Sequence, residues 1–133
     1  MTRLILSAAV MLSLATSASA KPALRDVPEI DNGLFTVGLA DQIRKNCPDI
    51  SARFFRALSY LKGLENEARD RGYTEAEVEA HLDSDAEKDR LRARARDYMK
   101  TRGHGQDQQG YCALGREEIS RGSAIGALLR ATN

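Results

Sequence analysis

The chain has 133 residues, of which 20 are lysine or arginine and 19 are aspartate or glutamate. Arg3 is the one charged side chain among residues 1–20, so the two signs balance in the rest of the chain. A chain of this length suits one domain rather than two. A neutral balance supplies no long-range attraction for phosphates, so we expect no nucleic-acid partner.

Residues 1–20 have the layout of a cleaved secretory signal. Arg3 is followed by an apolar stretch from Leu4 to Ala15, and the segment closes on the small residues Ala18 and Ala20. The alternative, an uncleaved membrane anchor, is disfavoured because the apolar stretch is too short to cross a bilayer comfortably. We therefore predict cleavage after Ala20, a periplasmic or secreted location, and no integral membrane segment in the processed protein.

Residues 21–32 contain two prolines and no helical period, and we predict that they form an extended N-terminal arm, either laid over the domain or loose. Residues 33–133 are predicted to form a single helical domain. This part of the chain lacks tryptophan and is rich in alanine, leucine, glutamate and arginine, which favour helix, while β-branched residues are sparse.

Two helices are predicted to open the domain. The first spans residues 33–46, where apolar side chains recur every four residues until Pro48 disfavours further helix. The second spans residues 51–72, and Phe55 lies about 100° around its axis from the preceding residue. We expect the buried side of this second helix to consist of Phe54, Leu58, Leu61 and Ala68.

Two capping-box spacings, Thr74 with Glu77 and Ser84 with Glu87, predict the starts of the third and fourth helices. The fourth helix has acidic residues first and basic residues later, which complements the helix dipole. Its basic stretch, residues 90–102, is interpreted as a solvated face, with an anion-binding patch as the alternative.

Residues 103–110 are predicted to be a polar loop, and two further short helices follow it. The fifth carries Cys112, and the sixth follows Ser123. No alternating pattern typical of a strand occurs. The predicted fold is therefore all-α, a compact bundle of five or six short helices with one disulfide.

The disulfide is predicted between Cys47 and Cys112, because the chain has two cysteines and an export signal. The bond would tie the first predicted helix to the fifth and stabilise the fold by roughly 4 kcal/mol. The alternatives are a reactive thiol and a redox pair, but the close spacing usual for a redox pair is absent.

No residue pattern predicts a catalytic, cofactor or metal site. Glu77 and His81 share one helical face near Asp85, but a transition-metal site normally needs three or four converging ligands. His104 lies between two glycines, where nothing fixes the orientation needed for acid–base catalysis. Phosphate-binding loops, nucleophile elbows and haem-attachment motifs do not occur. The sequence therefore favours a non-enzymatic protein.

Five stretches resemble an uncharacterised domain-of-unknown-function family of small exported alphaproteobacterial proteins. The most specific pattern is Tyr-Cys-x-x-Gly-x-x-x-Ile at residues 111–119. The resemblance implies an exported helical domain and transfers no catalytic residue. A looser architectural similarity is to periplasmic acid-stress chaperones. The other four stretches are residues 27–34, 40–47, 84–88 and 123–130.

Three functional hypotheses follow from the sequence. The first is a periplasmic binding or accessory protein that contacts a periplasmic protein or a second copy of itself through an apolar helix face or groove, with Phe55, Tyr60 and Tyr73 as candidate contacts. The second is an acid- or stress-conditional chaperone, since acidification would neutralise the 19 carboxylates and leave a large positive excess. The third is a small hydrolase using carboxylates, for which the sequence identifies no pair of catalytic residues.

Overall fold

The computed structural model describes residues 20–132, so residues 1–19 of the predicted signal lie outside the described residues. The prediction of an all-α fold is confirmed. Among the described residues no helix is both long and apolar enough to span a membrane. The helices are α1 (Pro28–Asn46), α2 (Phe54–Asp70), α3 (Glu75–Asp83), α4 (Asp85–Thr101) and α5 (Gln108–Arg121), with two short strands, β1 (Ile50–Ala52) and β2 (Leu129–Ala131).

The N-terminal arm is shorter than the sequence predicted. Helix α1 begins at Pro28, five residues before the predicted start, because proline presets the backbone angle of a first helical residue and needs no hydrogen bond there. A 3₁₀ turn, Leu24–Asp26, precedes it. Leu24 and Val27 are buried, so this segment packs against the domain rather than lying loose. They belong to a small core that also contains Ile30, Ala68 and Tyr73.

Helix α1 is the central element, since it packs against α2, α4, α5 and β1. Its side chains Leu39 and Ile43 are almost inaccessible and lie in the main core. These two residues belong to the apolar stripe that the sequence predicted for the first helix. The core is completed by residues from the later elements, chiefly Met99, Leu114, Ile125, Leu128 and Leu129.

Helix α5 lies very close to α1, and the predicted disulfide locks the pair. A Cβ atom on Gly115 would lie 2.3 Å from Cδ1 of Ile50 and 2.7 Å from Cγ2 of Ile43, so only glycine permits this approach. The disulfide between Cys47 and Cys112 is confirmed, and both cysteines are buried. The bond joins the C-terminal end of α1 to the fifth residue of α5.

A two-stranded antiparallel sheet was not predicted. Strand β1 pairs with β2 so that Ser51 lies opposite Arg130. The predicted sixth helix is instead a 3₁₀ turn, Gly126–Leu128, that leads into β2. Strands of three residues are too short to show an alternating pattern, and their pairing depends on a contact between distant parts of the chain. The sheet places the C-terminal segment beside the α1–α2 connection.

Helix α4 is attached to α1 by charged groups as well as by its thin apolar stripe. Asp31 of α1 accepts hydrogen bonds from Arg90 and Arg94, the latter from Nη1 at 3.0 Å. The Arg94 guanidinium also lies 4.1 Å from the ring centroid of Phe35. The predicted solvated face is therefore wrong for these two arginines, although Arg96 is exposed as predicted.

Replacing both cysteines, Cys47→Ala with Cys112→Ala, is expected to lower the free energy of unfolding by about 4 kcal/mol. The bond closes a loop with a sequence separation of 65 residues and so restricts the unfolded chain. Urea unfolding of the oxidised wild type and the double variant measures the difference. Equal stabilities would show that the disulfide does not stabilise the fold.

Candidate functional site

Helix α2 exposes much of the side that the sequence predicted to be buried. Phe54 is 67% exposed, Leu58 54% and Leu61 40%, and among the described residues of α2 only Ala68 is buried. The prediction was wrong because the apolar stripe of α2 is wider than the surface that α1 offers it. The contacts with the domain are made instead by the adjacent strip, which contains Ala57, Tyr60 and Leu64.

The exposed large apolar side chains of the described residues are concentrated in one region. Phe54, Phe55, Leu58 and Leu61 lie on α2, and Leu82 lies on α3. We call these five residues the α2 face. Because an aromatic side chain presents about 150–250 Å², the α2 face exposes on the order of several hundred Å². Apolar patches of this size on a monomer often mark interaction sites.

The α2 face continues into a groove between α2 and α3, which we call the α2–α3 groove. The groove has a volume of about 530 Å³. Leu58 and Leu61 line it from α2, and Val78 and Leu82 line it from α3. The remaining apolar lining comes from the small core and its neighbours: Leu24, Ile30, Leu34, Leu64, Ala68 and Tyr73.

Close packing fixes the position of α2. A Cβ atom on Gly33 of α1 would lie 2.3 Å from Cδ2 of Leu64, so the absence of a side chain at Gly33 lets α2 approach α1. A second groove, of about 670 Å³, lies on the side of α2 toward α1 and β1, and Phe54 and Leu61 contribute to its lining. Leu61 therefore lies on a ridge between two depressions.

Helix α3 is held in place by its first turn. The predicted capping box is confirmed, with Thr74 Oγ1 accepting from the Glu77 amide at 3.1 Å and the Glu77 carboxylate accepting from the Thr74 amide at 2.7 Å. Lys21 donates to Glu77 at 2.8 Å and to the Gly72 carbonyl at 2.7 Å. The hydrogen bond from Lys21, together with that from the Thr74 backbone, lowers the pKa of Glu77. The N-terminal segment thus ties α3 to the domain.

The two edges of the α2–α3 groove differ in charge. On the α2 edge, Glu65 pairs with Lys62 at 2.9 Å and with Arg69 at 2.8 Å. The hydrogen bond and charge of Lys62, followed by Arg69, lower the pKa of Glu65, so this cluster is ionised and internally paired. On the α3 edge, three exposed carboxylates have no ion-pair partner among residues 20–132: Glu75, Glu79 and Asp83.

The two histidines have different surroundings. His81 lines the α2–α3 groove, and its Nε2 is buried without a hydrogen-bond partner. His104 is not unconstrained as the sequence suggested, because its Nε2 lies 2.7 Å from Oε2 of Glu117. The hydrogen bond with His104, followed by that from Arg102, lowers the pKa of Glu117. His104 thus joins the loop before α5 to α5 itself.

In the described part of the chain, one group of three side chains that could ligate a metal has its ligand atoms within 4.8 Å of one another: Cys47, Asp49 and Cys112. Both sulfurs are bonded to each other, which removes the thiolates a metal would require. Glu77, considered in the sequence as a ligand together with His81, is engaged by Lys21.

The buried carboxylates hold helices together. Asp31 binds Arg90 and Arg94, as described above. Glu87, at the start of α4, pairs with Arg25 and with Arg90, the latter at 2.9 Å. Glu118 of α5 is fully buried and accepts a hydrogen bond from the Tyr98 hydroxyl at 2.6 Å. Burial, together with this hydrogen bond to Glu118, raises the pKa of Tyr98. The second oxygen of Glu118, Oε2, has no hydrogen bond and lies 3.8 Å from Nη2 of Arg121.

The three residues that the sequence singled out for partner contact lie in different surroundings. Phe55 is 83% exposed and belongs to the α2 face. Tyr60 is partly buried against the main core, and Tyr73 is buried with its hydroxyl donating to the Pro22 carbonyl. The sequence did not predict that the rest of the α2 face is exposed. The helical pattern identified an apolar side of α2, but it could not show which part of that side the rest of the fold covers.

Comparison with known proteins places the chain among proteins without an assigned activity. A family model described as a family of unknown function, DUF5333, matches residues 22–130. The match includes both cysteines and every residue of the α2 face. No curated protein and no solved structure matches the chain.

Replacing Phe55 by serine is expected to change the free energy of unfolding by no more than about 0.5 kcal/mol, because the side chain is exposed. The control is Phe35→Ala, which removes a ring that is 7% exposed and is expected to cost about 3–5 kcal/mol. Chemical denaturation of both variants measures the two values. A comparable loss in Phe55→Ser would place Phe55 in the core.

Proposed function

We propose that this chain, which belongs to the family of unknown function DUF5333, is a non-enzymatic binding protein of the periplasm. The observation that carries the proposal is the exposure of the α2 face. A helix that keeps two phenylalanines and two leucines in water presents a surface that becomes more stable when another apolar surface covers it.

The scaffold around the α2 face supports a binding role because it is rigid. The disulfide fixes α1 to α5, and Leu64 packs against Gly33 to fix α2 on α1. A surface that is already ordered loses little conformational entropy on binding, and this favours affinity.

The shape of the site suits a helical segment of another polypeptide. The α2–α3 groove is bounded by two helices, and its apolar lining residues on α2 recur at helical spacing at Leu58, Leu61 and Leu64. An amphipathic helix could place its own apolar side chains at i, i+3, i+4 and i+7 between them. Together with Phe54 and Phe55, such a contact could approach the area of about 800 Å² per partner that is usual for stable complexes.

The periplasmic location is supported by the signal-like pattern of residues 1–20 and by the cysteine pair. A disulfide persists in an oxidising compartment and is rare in the cytosol. Lys21, the first residue after the predicted cleavage point, donates to Glu77 and to the Gly72 carbonyl, so the residue next to the predicted signal is already attached to the domain.

The test is binding of a fluorescent amphipathic helical peptide, followed by anisotropy. The wild type is expected to bind, and the double variant Leu58→Ser with Leu61→Ser is expected to bind at least about tenfold more weakly, because it loses apolar area at the site. Both side chains are at least 40% exposed, so the variant is expected to remain folded.

The matched control is Ala124→Ser, an exposed position outside both grooves, which is expected to bind as the wild type does. Equal binding by the wild type and the double variant would contradict the proposal. Sedimentation of the unliganded protein adds a second criterion: a dimer that the double variant dissociates would make a second copy the occupant of the α2 face.

A further inference from the structure

The α3 edge of the groove carries a row of like charges. Glu75, Glu79 and Asp83 are spaced by four residues, which places them along one face of a helix. All three are exposed, and they line the α2–α3 groove. Carboxylates at this spacing repel one another, so the row is unfavourable for α3 by itself.

The cations near this row are engaged elsewhere. Lys62 and Arg69, on the opposite edge, both pair with Glu65. Lys88 donates to the backbone carbonyl of Asp83 at 3.3 Å, and its nearest carboxylate is that of Asp85 at 4.0 Å. The repulsion along α3 is therefore not relieved by an ion pair within residues 20–132.

The basic residues at the start of α2 contact the C-terminal segment rather than the groove. Arg53 donates to the Leu129 carbonyl at 3.0 Å, and Arg56 donates to the Ala127 carbonyl at 3.4 Å. Neither residue lines the α2–α3 groove. The groove thus combines an apolar floor, an α2 edge whose two cations share the one carboxylate of Glu65, and an α3 edge of three carboxylates. With two cations against four carboxylates, its charged lining has a formal net charge of −2, and the α3 edge would repel an anionic bilayer.

We propose that the α2–α3 groove selects a cationic amphipathic helix of a partner protein, with its apolar side chains toward Leu58 and Leu61 and its lysines or arginines toward the α3 row. This inference rests on the proposed function and adds the charge of the partner to it.

Three synthetic peptides separate this inference from the proposed function. Two peptides have leucines at the same positions, and one carries lysine while the other carries glutamate at the flanking positions. The third peptide has the composition of the lysine peptide, but its leucine positions are scrambled. The disulfide-bonded protein, processed after Ala20, is expected to bind the lysine amphipathic peptide about tenfold more tightly than the glutamate one. Added salt is expected to reduce this preference.

The row itself is tested by the triple variant Glu75→Gln, Glu79→Gln and Asp83→Asn. Its preference for the lysine peptide is expected to fall by about tenfold, with less dependence on salt, because the exposed charges are removed. The matched control is Asp97→Asn, an exposed carboxylate of α4 outside both grooves, and it is expected to keep the preference. Circular dichroism verifies that α3 is retained in the triple variant. The single variant Glu79→Lys is also expected to reduce the preference for the lysine peptide.

The outcomes distinguish the two claims. Equal affinity for the lysine and glutamate peptides, with weak binding of the scrambled one, would overturn the charge inference and leave the proposed function standing. Equal affinity for the amphipathic and scrambled lysine peptides would overturn both the charge inference and the proposed function. Tighter association with phosphatidylglycerol vesicles than with any peptide would overturn both claims and identify the site as a membrane contact.

Discussion

The contact between α1 and α5 is the constraint on which the rest of the structure depends. Gly115 brings the two helices close enough for Ile43 and Ile50 to fill the space between them, and the disulfide holds them at that distance. Helices α4 and α5 pack on other parts of α1, so α2 has only the remaining surface of α1 to pack against. The apolar stripe of α2 is wider than this surface, and its outer part remains in water.

Ion pairs supply the contacts that the apolar side chains of α4 cannot. Asp31 joins Arg90 and Arg94, and Glu87 adds Arg25 from the N-terminal segment. Both carboxylates are buried, so water screens their attraction to the arginines less than it screens a surface pair. The distribution of apolar residues is therefore uneven: α4 has a thin stripe and is held by charge, whereas α2 has more apolar side chains than the fold covers. This imbalance is the reason why the proposed partner site lies on α2 and not on the basic α4.

Local signals in the sequence predicted local structure well. The capping residues Thr74 and Ser84 place the starts of α3 and α4 correctly, and the cysteine pair is bonded as predicted. The start of α1 was missed because residues 21–32 show no helical period, and only the fold shows that Pro28 begins the helix. The sheet and the exposure of α2 could not be predicted, because both depend on how much surface distant segments offer to one another. The α2 face is the clearest case: helical periodicity showed that Leu58 and Leu61 share an apolar side, and only the fold showed that α1 does not reach it.

The exposure of the α2 face in the unliganded protein is the central claim, and fluorine NMR of protein labelled with fluorophenylalanine tests it most directly. The chain has three phenylalanines, of which Phe35 is buried while Phe54 and Phe55 are exposed. A water-soluble paramagnetic agent is expected to broaden the Phe54 and Phe55 signals strongly and to leave the Phe35 signal sharp. Equal protection of all three signals would show that the α2 face is covered in solution, and would contradict the account.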